Sequence, residues 1–157
     1  MDKIIFLEEA KQHLRENWIE GTECPCCGQF VKKYKTNLNS SMVYALILIA
    51  KAPDGWLHVE DHFVDIGCKL KGVHGKLKHW GLIRQKPNDD QPEKNKTGYW
   101  RITQKGRDFV NNIVTVPQYV WLFNNKQYGF SENHVTIQQA LGKKFNYEEL
   151  MNGVTIK

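Results

Sequence analysis

Apolar positions recur along this chain at two different periods, and the points where the period changes divide it into short elements. Leu7, Ala10, Leu14 and Trp18 fall at helical spacing, which predicts a first helix over Lys3 to Ile19, with Glu8 and Glu9 placed to suit its dipole. After a Cys-rich turn, Gln29 to Lys35 reads as a short strand or extended arm carrying Lys32, Lys33 and Lys35. Asn39 then precedes Ser40, Ser41 and the run Met42 to Ala50, a capped helix apolar on nearly every face and so the expected core helix. Pro53-Asp54-Gly55 stops it, Trp56 to Val59 reads as a strand, and Glu60 to Ile66 as a helix. Gly67-Cys68 supplies a turn whose glycine tolerates a left-handed backbone. Leu70, Val73, Leu77 and Trp80 form one apolar stripe, predicting a helix from Lys69 to Trp80 that ends at Gly81.

The next stretch alternates instead. Leu82-Ile83 and Tyr99 to Ile102 read as two strands around a polar tip, Pro87 to Thr97, and Thr103 caps a helix reaching about Asn111. Val116-Pro117, Tyr119 to Phe123 and Gln127 to Phe130 are further strands turning at Asn124-Asn125, apolar on both faces. A last helix opens near Thr136, breaks at Gly142 and resumes around Asn146. The expected class is therefore α+β: an N-terminal helix and Cys-rich turn over residues 1–35, a central domain over 36–112, and a hairpin-helix extension over 113–157. Helix, strand, basic hairpin, strand and helix in the central domain follow the order of a winged helix-turn-helix.

Charge sharpens the picture. The chain of 157 residues is basic, at +5 overall. Gly67 to Asp108 alone holds eleven Lys and Arg against four Asp and Glu, a net of +7, so the remainder sums to −2. A positive field gathered on one element suits a face that meets phosphates, although Lys-rich helices are also common as plain solvated faces. Lys71, His74, Gly75 and Lys78 lie off the apolar stripe and would face the major groove. Lys69, Lys76, Arg84, Lys86, Lys94, Lys96 and Arg101 would mainly contact phosphates.

The run HGKLKHWGLIRQK…GYWRITQKGRDFV resembles winged-helix transcription regulators of the MarR and PadR type, through Leu77, Gly81, Leu82, Ile83, Ile102, Thr103 and Gly106. The likeness covers about residues 40 to 110 and implies a regulator of duplex DNA; a homodimer is a separate expectation. The whole chain, with CPCCGQ near its front and ALGKKFNYEEL near its end, also resembles small uncharacterised phage and prophage proteins, which implies a mobile-element setting. Those regulators lack the CPCCGQ segment.

Cys24 and Cys27 make a Cys-x-x-Cys pair followed by Gly28, the local shape of a zinc knuckle. A second pair is missing, so zinc would need ligands from Cys26, Cys68, His13 or His79, or from a second subunit; a redox pair or plain reduced thiols are the other readings. No HExxH, Gly-rich phosphate loop or GxSxG elbow is present. Glu60, Asp61, His62 and Asp65 sit where acidic residues serve a helix dipole, the alternative being a metal-dependent nuclease. Glu8 and Glu9 interrupt the first apolar run, unlike a signal peptide, and Met42 to Ala50 is far shorter than the roughly 20 residues that span a bilayer. The expectation is a cytoplasmic, non-catalytic DNA-binding protein. The other class is a protein-binding winged helix that modulates a host protein.

Overall fold

Asn39 opens the central helix as the sequence predicts, its side chain accepting the Met42 amide at 2.9 Å. The computed structural model describes residues 6–87, 98–124 and 126–152. In chain order the elements are α1 (Leu7–Asn17), β1 (Thr22–Glu23), β2 (Phe30–Val31), β3 (Tyr34–Asn37), α2 (Ser40–Lys51), β4 (Leu57–His58) and α3 (Val59–Asp65). A 3-10 helix (His74–Trp80), β5 (Ile83–Gln85), β6 (Tyr99–Ile102), α4 (Gln104–Val110) and β7 (Val116–Pro117) follow. The chain closes with β8 (Tyr119–Phe123), β9 (Lys126–Phe130), β10 (His134–Val135), α5 (Ile137–Leu141) and α6 (Tyr147–Met151). The protein is thus α+β with small antiparallel sheets. Among the described residues no helix is long and apolar enough to cross a membrane.

The chain divides into two compact units. The first joins residues 1–36 to 119–130. Here β1 and β2 form a hairpin around the cysteine turn, and β8 lies between β3 and β9. Along β8 the side chains alternate, with Val120 and Leu122 buried and Tyr119, Trp121 and Phe123 half-buried. Trp18, Phe123 and Tyr128 cluster on one another.

The second unit, residues 37–118 with 131–157, is built around α2. Every residue of α2 from Met42 to Ile49 is buried, because the 3-10 helix, α4, α5 and β6 all pack on it. Its sheet has the order β4-β6-β5, with Leu57 opposite Trp100, Ile83 opposite Ile102 and Arg84 opposite Arg101. Trp100 and Ile102 turn inward while Tyr99 and Arg101 turn out, as the period of two demands. Thr103 caps α4 by accepting the Gly106 amide at 3.0 Å. Gly106 has no room for a side chain, since a Cβ there would stand 2.2 Å from the Leu82 carbonyl oxygen and 2.7 Å from Ile102 Cγ1. The Thr-x-x-Gly spacing is thus the packing of α4 onto the strand entrance. At the far end the Tyr147 hydroxyl donates to the Val110 carbonyl at 2.7 Å, tying α6 to the end of α4.

One expected element is shorter than its hydrophobic stripe. The helix over 69–80 begins only at His74 and is of the tighter 3-10 kind. Gly67 and Gly72 both sit in the left-handed region, at φ 74° and 69°, so residues 67–73 run as a loop. Gly72 and Gly75 have open space around them; the backbone turn, rather than a crowding neighbour, accounts for Gly72. The first helix runs Leu7–Asn17 with Phe6 extended before it, and Leu7 itself is exposed; the expected stretch from Lys3 to Ile5 lies outside the described residues.

Candidate nucleic-acid interface

The 3-10 helix is held by its apolar side. Leu77 and Trp80 are buried at 0 and 1 % exposure, packed on α2 as their stripe predicts, and the Trp80 indole donates to the Pro117 carbonyl at 2.8 Å. Gly81, left-handed at φ 73°, ends the turn and releases the chain into β5. This anchoring fixes which residues face out. Lys69, Lys71, Lys76 and Lys78 are all exposed, and none of them forms an ion pair with a described residue. Lys69 and Lys71 ride the loop before the helix, and Lys76 and Lys78 the helix itself. Gly75 is half-buried between them.

His74 does not join that face. It is buried, wedged edge-on between Phe63 (6.2 Å between ring centres) and Trp100 (5.6 Å), and its Nδ1 has no hydrogen-bond partner among the described residues. Burial lowers its pKa below the usual histidine range, and nearby His58 lowers it a little further while Glu60 opposes. The imidazole is therefore neutral at pH 7 and serves the core. The expectation that it meets the groove assumed a full α-helix from Lys69; with the helix starting at His74, the ring rotates inward.

The wing residues separate in the same way. Lys86 is exposed at the end of β5, its ammonium 5.7 Å from the Tyr99 ring centre. Arg84 lies over the Trp56 ring at 5.2 Å, and Arg101 pairs with Asp54 at 3.5 Å. A third guanidinium, on Arg107 of α4, reaches the other oxygen of the same Asp54 carboxylate at 3.0 Å. Arg84, Arg101 and Arg107 so line one cleft of about 400 Å³ with Asp54. Sequence reasoning missed Asp54, Trp56 and Arg107 because their meeting is a tertiary contact with no local signal. Lys94 and Lys96, expected on the wing tip, lie outside the described residues.

On the first unit, Lys33 is flanked by the Trp18 and Trp121 rings at 5.2 and 5.0 Å, and Lys35 stands over Tyr119 at 4.1 Å. These lysines are spread over aromatic faces within their own unit.

The cysteine turn is closed by backbone bonds, Gly28 amide to Cys24 carbonyl and Cys24 amide to Gln29 carbonyl, each 2.8 Å. The Cys27 amide, then the Cys26 amide and the Cys27 thiol, bond to the Cys24 sulfur and lower its pKa from the ordinary thiol value. The Cys24 thiol thus gives up its proton more readily than an ordinary thiol, which is the direction a metal ligand needs. Among the described residues, however, no group of three or more His, Cys, Asp or Glu gathers where it could hold a metal ion. His13, one residue considered as a completing ligand, bonds Thr22 Oγ1 at 3.1 Å. The acidic run at α3 begins as a helix start, with Glu60 and Asp61 in its first turn and Asp61 3.2 Å from His58.

Compared with known proteins, the chain matches no family model, no curated protein and no solved structure.

Proposed function

We propose that residues 36–112 act as a winged-helix module that binds duplex DNA without catalysis, in the manner of a transcription regulator from a mobile element. The element order α2, β4, α3, 3-10 helix, β5, β6 and the sheet order β4-β6-β5 support this reading, since a wing needs β5 and β6 adjacent and its helix packed beside them. The observation that carries it is the segregation along residues 69–80: Leu77 and Trp80 inside, Lys69, Lys71, Lys76 and Lys78 outside. Exposed cations without described carboxylate partners are what a polyanion would neutralise. Arg84 and Arg101 stand apart from this set, Arg84 over the Trp56 ring and Arg101 paired with Asp54.

Salt dependence tests it. Four phosphate contacts give a slope of log Kobs against log salt near about −3.6 on B-form DNA. Fluorescence anisotropy with a labelled duplex between 50 and 200 mM salt measures the slope; binding that stays flat, or is undetectable at the low end, overturns the reading.

A second reading, docking of a host protein, draws on α3. Val64 is 72 % exposed and Ile66 follows at 36 %, an apolar spot just before the basic loop. Salt-insensitive binding to a protein, lost on Val64→Asp, would favour that account.

Zinc remains a proposal on the Cys24–Cys27 turn. A structural site takes four ligands, and one chain's knuckle offers two, so zinc there would be shared by the knuckles of two copies.

A further inference from the structure

The cleft between the sheet and α4 has no part in the DNA reading above, and its chemistry is unbalanced. Arg84 and Arg101 face each other across β5 and β6, a like-charge pair that opposes strand pairing unless an anion intervenes. Arg107 adds a third guanidinium from α4, and the cleft-lining residues include a single carboxylate, Asp54. The local balance is thus three positive charges to one negative. Asp54 also arranges these groups. One of its oxygens holds Arg107 at 3.0 Å and the other holds Arg101 at 3.5 Å, while Trp56 carries Arg84 on its face. The forks are steadied without being neutralised, and their remaining N–H donors are free to turn on a further acceptor.

We infer that this cleft binds the phosphoryl group of a small molecule. A volume of about 400 Å³ lies in the range of small-ligand sites. The surplus of two positive charges matches a phosphate monoester, which carries about −1.5 to −2 at neutral pH, and exceeds what a monocarboxylate would balance. Three planar guanidiniums suit the tetrahedral oxygens of phosphate through paired N–H donors. The ligand enters as inorganic phosphate or as an ester; in either case the phosphoryl group is what the arginines read.

Isothermal titration at matched ionic strength, with sodium chloride replacing the probe, tests this in the absence of DNA. Inorganic phosphate and adenosine monophosphate are each expected to saturate one site per chain, and adenosine to give no heat. Tighter binding of the monophosphate than of phosphate identifies an ester as ligand; equal binding identifies the free anion. Arg107→Gln should weaken both about tenfold or more, as loss of a charge-assisted contact does. Arg107→Lys, keeping the charge without the fork, should restore part of the loss. A circular dichroism melt matching wild type shows that each variant is folded. Absence of saturable binding by either probe, or affinity unchanged in a folded Arg107→Gln, overturns the proposal. If both probes fail and Arg107→Gln instead weakens duplex binding, the cleft grips the DNA backbone and the small-ligand assignment falls. A cleft that binds phosphate in a protein that binds no duplex would leave this inference standing and remove the DNA reading alone.

Discussion

His74 shows how a single buried ring can set a pH limit. Its Nδ1 is buried without a partner among the described residues, and its pKa lies below the usual value because burial disfavours the charged form. The unfolded chain therefore takes up a proton near the ordinary histidine value of about 6.5, before the folded chain does. The contribution is present above that pH and is lost as pH falls through the lower folded value. Denaturant melts at pH 7.5, 6.5, 5.5 and 5.0 should show wild type losing more stability over this window than His74→Leu, which has no proton to take up there. Parallel curves for the two proteins would show that His74 does not contribute. Gly106 sets a steric limit instead. A methyl there would meet the Leu82 carbonyl oxygen at 2.2 Å, and a backbone atom cannot swing aside as a side chain can. Gly106→Ala should cost about 2–3 kcal/mol, the upper range for overpacking, despite alanine's better helix propensity. An equal or higher urea midpoint would disprove the packing argument. Gly106 was legible in the Thr-x-x-Gly spacing as a residue that mattered; the oxygen that excludes its substitution was not, because Leu82 reaches it only through the fold.

At the scale of the element, the 3-10 helix has two sides with separable roles. Trp80 is 1 % exposed, packs with its helix on α2, and bonds the Pro117 carbonyl. Trp80→Ala should cost about 3–5 kcal/mol as a large core truncation, and any loss of DNA binding would follow from unfolding. Lys71→Ala with Lys78→Ala removes two exposed charges and should shift stability by no more than about 0.5 kcal/mol. In the DNA reading the same pair lowers the salt slope by about 1.8, two phosphate contacts' worth. A double variant that binds duplex like wild type would remove this segment from the interface. The hydrophobic stripe identified the buried side correctly at Leu77 and Trp80. It overstated the helix because it counts apolar spacing and ignores backbone conformation: Gly72, left-handed at φ 69°, ends any helix entering from Lys69. That shortening is also what turns His74 inward and leaves Lys69 and Lys71 on a loop.

For the whole molecule, the division into two units places the cysteine turn and the basic segment in separate bodies. Each chain's knuckle offers two thiols where a structural zinc takes four ligands. If Cys24 and Cys27 of two copies share an ion, reduced, untagged protein should carry about half a zinc per chain. Chelation should then release the metal and halve the mass seen by light scattering, and Cys27→Ser should do both without a chelator. Metal analysis that finds none would leave the turn as reduced thiols closed by its own backbone bonds.

What the sequence determined by itself was local. Asn39, Thr103, Thr136 and Asn146 cap helices where they stand, because capping bonds reach only three residues. Met42 to Ile49 is buried because a helix apolar all round has no face left for water. The strand Tyr99–Ile102 alternates as its side chains do. What only the tertiary structure decided depends on residues far apart in the chain. β8 pairs with β3 across more than eighty residues, joining the chain's front to a hairpin near its end in one unit. Asp54 meets Arg101 and Arg107, and Trp56 meets Arg84, so that arginines expected on a DNA-facing wing line a cleft of their own. A spacing rule sees neighbours within a turn or a pleat; which charges converge is settled by the packing that brings distant elements together.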